Sequence, residues 1–290
     1  MRIIKYLLIG NKGQLGRSFE KYFGEVGAEY KGVDAEEMDV TDMQSVSKVF
    51  DEEPPQIVIN CAAYNLVENA EKEPEPAYKV NRDGVGNVAE MCKKHGSFLV
   101  HYGTNHVFNG TKGLPYVEED KTNPLNEYAK SKLAGEYLVK EKLPLNHLIL
   151  RTSWLYGEGN QNFIYKFLKR CHEGQELVGV VDEFATPTST RLLVDLTIRC
   201  LEKNLKGLYH AVNSGTASRW DWANEILNAV GENRQVKKVE VGYFKLTAKL
   251  PKDSTLSNKK ISKDLGIEIP RWEDELSNFI SDQAYLDFKL

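Results

Sequence analysis

Cysteine is scarce in this 290-residue chain: Cys61, Cys92, Cys171 and Cys200 stand far apart, with no C-x-x-C pair. That spacing argues against a disulfide framework or a zinc site and fits a reducing cytoplasm. Proline is limited to 10 residues, and neither a low-complexity segment nor an internal repeat breaks the chain. No block of one charge exists either. Lys plus Arg number 38 against 42 Asp plus Glu, a net charge of −4, which speaks against gripping nucleic acid by its phosphates. No apolar run approaches the roughly 20 residues of a bilayer span. The opening stretch 1–10 is too short, and too interrupted by Lys5, for a signal peptide, and a glycine turn follows it. The expectation is a cytoplasmic globular protein that binds neither membrane nor nucleic acid.

What is present is alternation. Strands are expected at Ile3–Ile9, Ala28–Val33, Ile57–Asn60, Phe98–Tyr102 and His147–Thr152. Helices are expected at Gln14–Phe23, Asp42–Phe50, Ala77–Lys94 and Tyr128–Lys140. Such a series makes right-handed βαβ units, hence an α/β fold with a Rossmann-type doubly wound parallel sheet. The stretch Gly103–Glu127 is rich in Gly, Asn, Pro and Thr, and a loop this long is usually functional. Beyond residue 155 short strands (Leu177–Val181, Leu208–Ala211, Val239–Val241) lie among helices (Phe163–Cys171, Leu192–Glu202, Trp220–Val230, Glu273–Ile280). The division expected is a dinucleotide-binding domain over 1–155 and a smaller substrate lobe over 156–290, with some segments returning to the first.

Gly10-Asn11-Lys12-Gly13-Gln14-Leu15-Gly16 spaces three glycines as G-x-x-G-x-x-G between the first strand and the first helix. Gly10 and Gly13 permit a tight turn close to a pyrophosphate. Gly16 lets the helix pack on the sheet, and the helix N-terminus supplies free N–H groups. Asp34 ends the second strand, where a carboxylate can take ribose hydroxyls; it favours NADH, while Lys12 argues weakly for NADPH, so both stay open.

Tyr128 and Lys132 lie at i and i+4, on one helix face. A neighbouring cation favours phenolate, and a phenol of lowered pKa can protonate a carbonyl as hydride arrives. Chance alone predicts about one such pair in this composition, and Tyr165/Lys169 and Tyr285/Lys289 match as well. Only Tyr128/Lys132 follows the fourth strand and the long loop, at the carboxyl edge of the sheet where ligands bind. Thr104, directly after that strand, completes a hydroxyl–phenol–ammonium set. No cluster of metal-ligand residues stands out.

In this order the segments resemble the extended short-chain dehydrogenase/reductases, and within them the dTDP-4-dehydrorhamnose reductase family. The glycine turn is similar to the family's G-x-x-G-Q-L-G, Met38-Asp39-Val40-Thr41-Asp42 to L-D-I-T-D, and Tyr78-Lys79-Val80-Asn81 to Y-x-V-N. Asn60-Cys61-Ala62-Ala63-Tyr64 resembles the segment passing under the cofactor, and Tyr128–Glu136 the active helix. Arg151-Thr152-Ser153-Trp154-Leu155-Tyr156-Gly157 is similar to R-T-S-W-x-Y-G, and Pro187-Thr188 to its P-T. The resemblance implies Tyr128 as proton donor, Lys132 on the nicotinamide ribose and Thr104 on the keto oxygen. It implies NADH or NADPH as cofactor, with Asp39, Val40, the 61–64 segment and Asn81 around it. The partner implied is a nucleotide-sugar substrate, bordered by Val67 and Trp154; a homodimer is compatible with the family.

Departures concentrate where the sugar is read. The family's S-T-D-Y-V-F-D-G is here Gly103-Thr104-Asn105-His106-Val107-Phe108-Asn109-Gly110, so Asn105 and His106 replace Asp and Tyr. Its D-Q-x-G-x-P-T becomes Asp182-Glu183-Phe184-Ala185-Thr186-Pro187-Thr188, and its R-P-x-x-S-x-L begins with Leu250 instead of arginine. Asn105, His106 and Glu183 are thus expected at the substrate. Two alternatives stay open: reduction of a different nucleotide keto sugar, and a non-catalytic regulatory subunit on the same fold, as in methionine adenosyltransferase.

Overall fold

Apolar side chains alternate along the strands and sort themselves to the two faces of one sheet. The structure, a computed structural model, describes residues 4–282. β1 (Ile4–Ile9), α1 (Gln14–Val26), β2 (Tyr30–Val33), α2 (Met43–Glu52) and β3 (Pro55–Asn60) open the chain. The short helices α3 (Val67–Lys72) and α4 (Pro74–Tyr78) follow, then α5 (Val85–His95), β4 (Phe98–Thr104), α6 (Glu127–Lys142) and β5 (His147–Thr152). Tyr6, Leu8, Ile59, Val100, Leu148 and Leu150 point to one face, and Leu7, Ile9, Val58, Leu99 and Ile149 to the other. Period-two burial on both faces is what a sheet covered by helices on each side requires.

The second half is built of shorter pieces. β6 (Leu155–Tyr156), α7 (Phe163–His172), β7 (Val178–Val180), β8 (Phe184–Ala185) and β9 (Thr188–Ser189) precede α8 (Thr190–Glu202) and β10 (Gly207–His210). β11 (Ala217–Ser218), α9 (Arg219–Val230), β12 (Lys237–Val239), α10 (Lys259–Leu265) and α11 (Trp272–Ser281) complete it. The main sheet has six parallel strands in the order β10-β5-β4-β3-β1-β2. The chain therefore winds to opposite sides of β1, which leaves a crevice at the carboxyl ends of β1 and β3. α1, α8 and α10 cover one face; α2, α5 and α6 cover the other. α7, α9 and α11 enclose a separate aromatic-rich core with Tyr156, Trp222 and Phe279.

Three elements differ from their expected form. The helix expected over 77–94 is α4 and α5 joined by a π-turn at Lys79–Gly84. Its cause lies on α6: a Cβ on Gly135 would stand 2.1 Å from the Asn81 carbonyl oxygen, so the two helices touch backbone to backbone. The strand expected at Leu208–Ala211 is β10, which pairs with β5 and belongs to the main sheet. The strand expected at Val239–Val241 begins earlier, at Lys237, because it pairs with β7; Val241 opens a 3₁₀ turn. The long loop after β4 is held by Phe108 stacked on Tyr116 at 4.2 Å, and by Tyr116 N–H donating to the Thr255 carbonyl.

Candidate active site

β1 ends at Ile9, and Gly10 turns the chain with φ +77, a conformation that side chains disfavour. A Cβ there would lie 2.8 Å from Ala62 N, and one on Gly16 would lie 2.2 Å from the Gly10 carbonyl oxygen. The turn is therefore a cradle that only glycine leaves open. Gly13 caps α1 without a side-chain bond, so the first N–H groups of the helix face the cleft edge, suited to a diphosphate. These features fit a dinucleotide.

Asp34 accepts hydrogen bonds from Lys12 N at 3.1 Å and Ala35 N at 2.8 Å. The Lys12 ammonium is held by Glu36 at 2.7 Å and Glu37 at 3.5 Å. Asn11 does not reach the cleft: its amide donates to Glu20, bracing α1. Asn81 is buried behind the wall. It accepts from Tyr64 N and donates to Tyr64 O and Ser131 Oγ, so it shapes the 61–64 segment instead of facing the cofactor. Asp39 lies at the cleft and also fixes its own loop by accepting from Thr41 N and Oγ1.

One cleft of about 960 Å³ runs from the glycine turn to the other half of the molecule. Gly10, Lys12, Gly13, Gln14, Leu15, Gly16, Asp34, Asp39, Val40 and the Cys61–Tyr64 segment line its first part. Thr104, Asn105, His106, Tyr128, Lys132, Val67 and Trp154 line the rest. Thr104 is the last residue of β4, and Tyr128 lies in the first turn of α6, whose N-cap Asn126 accepts from Ala129 N. Lys132 follows one turn later and is buried.

The electrostatics differ from the expectation at one point. Burial raises the Tyr128 pKa, a hydrogen bond with Thr104 opposes the rise, and Lys132 is not among the groups that shift it. The rise comes from desolvation, which penalises the phenolate. Burial brings Lys132 down to about 8, against the pull of Glu136 and Cys61. His106 packs edge-on to Tyr128, ring centroids 6.1 Å apart, and burial, with the Arg219 charge second, brings it down to about 4. It is a neutral imidazole at physiological pH. Asn105 donates to Ser254 Oγ at 2.6 Å, tying the cleft floor to the 250–256 segment. Among the described residues, no group of His, Cys, Asp and Glu could hold a metal ion, and no helix is long and apolar enough to cross a membrane.

With this geometry in place, the likeness to known proteins is specific. The family model of the RmlD substrate binding domain matches residues 4–285. The chain belongs to this RmlD family. A dTDP-4-dehydrorhamnose reductase of Sinorhizobium fredii is 36% identical over 237 residues, 78% of this chain and 80% of that protein. The crystal structure of one from Clostridium acetobutylicum superposes with a TM-score of 0.91 at 35% identity, covering 96% of this chain and 99% of that one. Another, from Bacillus anthracis in complex with NADP, gives a TM-score of 0.92 at 32% identity, covering 97% and 100%.

Among the residues expected at the substrate, Glu183 is the one the structure moves. It does not line the cleft; its carboxylate faces Arg219, 3.7 Å from Nε, behind Trp154. Sequence reasoning missed Gln161, Asn162 and Lys166, which close the cleft from the start of α7. Asn162 was the available signal, since it is the α7 N-cap and accepts from Tyr165 N. Of the other tyrosine–lysine pairs, Tyr165/Lys169 lies on α7 with Lys169 exposed near Glu173. Tyr285/Lys289 lies outside the described residues.

Proposed function

We propose that this chain reduces the C4 keto group of dTDP-4-dehydrorhamnose to give dTDP-L-rhamnose for cell-surface polysaccharide, in the cytoplasm, with NADH or NADPH. The observation that carries the reading is the meeting of Thr104, Tyr128 and Lys132 in the cleft that begins at the glycine turn. The RmlD relatives of like sequence and fold support the substrate. The reduced nicotinamide supplies hydride to the carbonyl carbon. Tyr128 donates its phenolic proton to O4, and its raised pKa keeps that proton in place until negative charge develops on the sugar oxygen. Thr104 donates a hydrogen bond to the same oxygen. Lys132, charged below about 8, holds a ribose hydroxyl, and the Thr104 hydrogen bond is what favours the phenolate left behind.

The test mixes purified protein, NADH or NADPH and dTDP-4-dehydrorhamnose, and follows loss of the reduced-nicotinamide absorbance. Oxidation that falls by about 10²–10⁴-fold in Tyr128→Phe is the expected result. A second reading keeps the chemistry and changes the sugar, favoured by neutral His106 packed on Tyr128 where the family has tyrosine. Turnover of another nucleotide keto sugar, with none of this one, would select it. A tight hetero-complex without turnover of any keto sugar would select a regulatory subunit.

A further inference from the structure

Trp154 forms part of the cleft wall beside His106 and Tyr128, in a backbone conformation that non-glycine residues rarely take, φ +41. Such strain persists only where surroundings over-determine it. Its flanks are indeed tied: Ser153 Oγ donates to the Thr186 carbonyl at 2.6 Å, and Thr188 N donates to the Trp154 carbonyl at 3.3 Å. The indole is gripped as well. Trp222 stacks on it at 5.7 Å and 10°, and the Arg219 guanidinium lies 3.6 Å from its ring centroid. Phe163 and Trp222 bound the same guanidinium at 5.4 and 5.5 Å, so Arg219 sits in an aromatic corner.

Strand register explains the charge beside it. β11 pairs antiparallel with β8, Ser218 opposite Phe184, so the next residues outward are Arg219 and Glu183. Their 3.7 Å pair is largely withdrawn from water, Glu183 side chain 9% exposed and Arg219 25%. At position 183 the family's glutamine could not balance that guanidinium; a carboxylate does.

We infer that Arg219 is a positioning residue for the substrate end of the cleft: anchored by Glu183, it holds the Trp154 indole against the sugar of a nucleotide-sugar substrate. The inference rests on the proposed activity for the sugar, though not for the stacking itself. Glu183 then acts at one remove, as the counter-charge of Arg219.

Two measurements test this. The first uses ligand-free protein carrying 5-fluorotryptophan at its four tryptophans, with Trp154→Leu assigning one ¹⁹F resonance. Arg219→Met should shift the Trp154 signal strongly and its stacked neighbour Trp222 less. Trp272 should stay as it is. An unmoved Trp154 signal overturns the inference, and because no substrate is present, this outcome is independent of whether dTDP-4-dehydrorhamnose is turned over. The second measurement is steady-state kinetics on the accepted keto sugar. Arg219→Met should raise KM about tenfold, the equivalent of ~1.4 kcal/mol, with kcat within about twofold. The NADH Kd should be unchanged, and Arg219→Lys, which keeps the charge and loses the planar stack, should recover only part of the loss. In a Trp154→Leu background the same substitution should add little. An equal loss in that background, or a parallel loss of NADH affinity, would show a role not exerted through Trp154.

Discussion

Lys132 offers a test in which stability and activity move in opposite directions. The residue is 4% exposed, and burial lowers its pKa from 10.5 to about 8. In the folded protein the charged form is therefore disfavoured relative to the unfolded chain. A shift of that size corresponds to a cost on the order of 3 kcal/mol, present in full below pH 8. Between pH 8 and 10.5 the unfolded chain holds the proton and the folded one releases it, so this contribution to stability rises with pH. Lys132→Met keeps the length of the side chain and removes the charge. It should stabilise the ligand-free protein by about 2–3 kcal/mol at pH 7, or roughly 3–5 °C in melting temperature, while abolishing turnover. Chemical denaturation of both proteins from pH 6.5 to 10.5 is the assay. Taking the difference cancels the thiols and phenols, which titrate in both. The gap should be flat to pH 8 and then close. A Lys132→Met protein less stable than wild type at pH 7, or a gap that does not depend on pH, would refute the reasoning. Glu136 keeps its partner in either case, since it accepts from Arg151 Nη2 at 2.7 Å.

Other perturbations follow from close contacts. Gly16→Ala places a Cβ against the Gly10 carbonyl and should abolish NADH binding, read by nicotinamide fluorescence, with the melting temperature lowered too. Gly135→Ala drives a Cβ into the Asn81 carbonyl and should cost about 1–3 kcal/mol in denaturant unfolding. Glu136→Gln leaves the buried Arg151 guanidinium without its counter-charge and should cost about 3–5 kcal/mol, measured the same way.

Local chemistry was the readable part of this molecule. The glycine turn and Asp34 announce themselves because each signal is complete within a few residues and sits at a strand end, whereas the Tyr128–Lys132 spacing stands out only by its place after the fourth strand and the long loop. Helices α1 and α2 were legible because one apolar face repeats along each. The π-turn was not, because its cause is Gly135, far along the chain from Asn81. Glu183 carries the same lesson: its place in the family pattern suggested a substrate reader, while its surroundings are set by the pairing of β8 with β11. The behaviour of Tyr128 escaped sequence reasoning because spacing gives proximity to a cation and says nothing of how much water either group keeps. Two-residue strands such as β6, β9 and β11 have no periodicity to read.

The order in which the main sheet is assembled has a consequence for synthesis. When the ribosome has delivered β5, the nucleotide half looks finished in sequence, yet Leu148, Leu150 and Val100 still await Leu192, Leu193 and Leu196 of α8 and Ile261 and Leu265 of α10. β5 also lacks the neighbour that β10 provides from residues 207–210. Until about seven-tenths of the chain has emerged an apolar edge strand stands open, and until about nine-tenths a partly uncovered face, the surfaces that invite misassociation. The glycine-turn half is thus no separable cassette: cutting the chain near residue 155 should give aggregates, and chimeras that exchange the C-terminal half must bring α8, β10 and α10 with it.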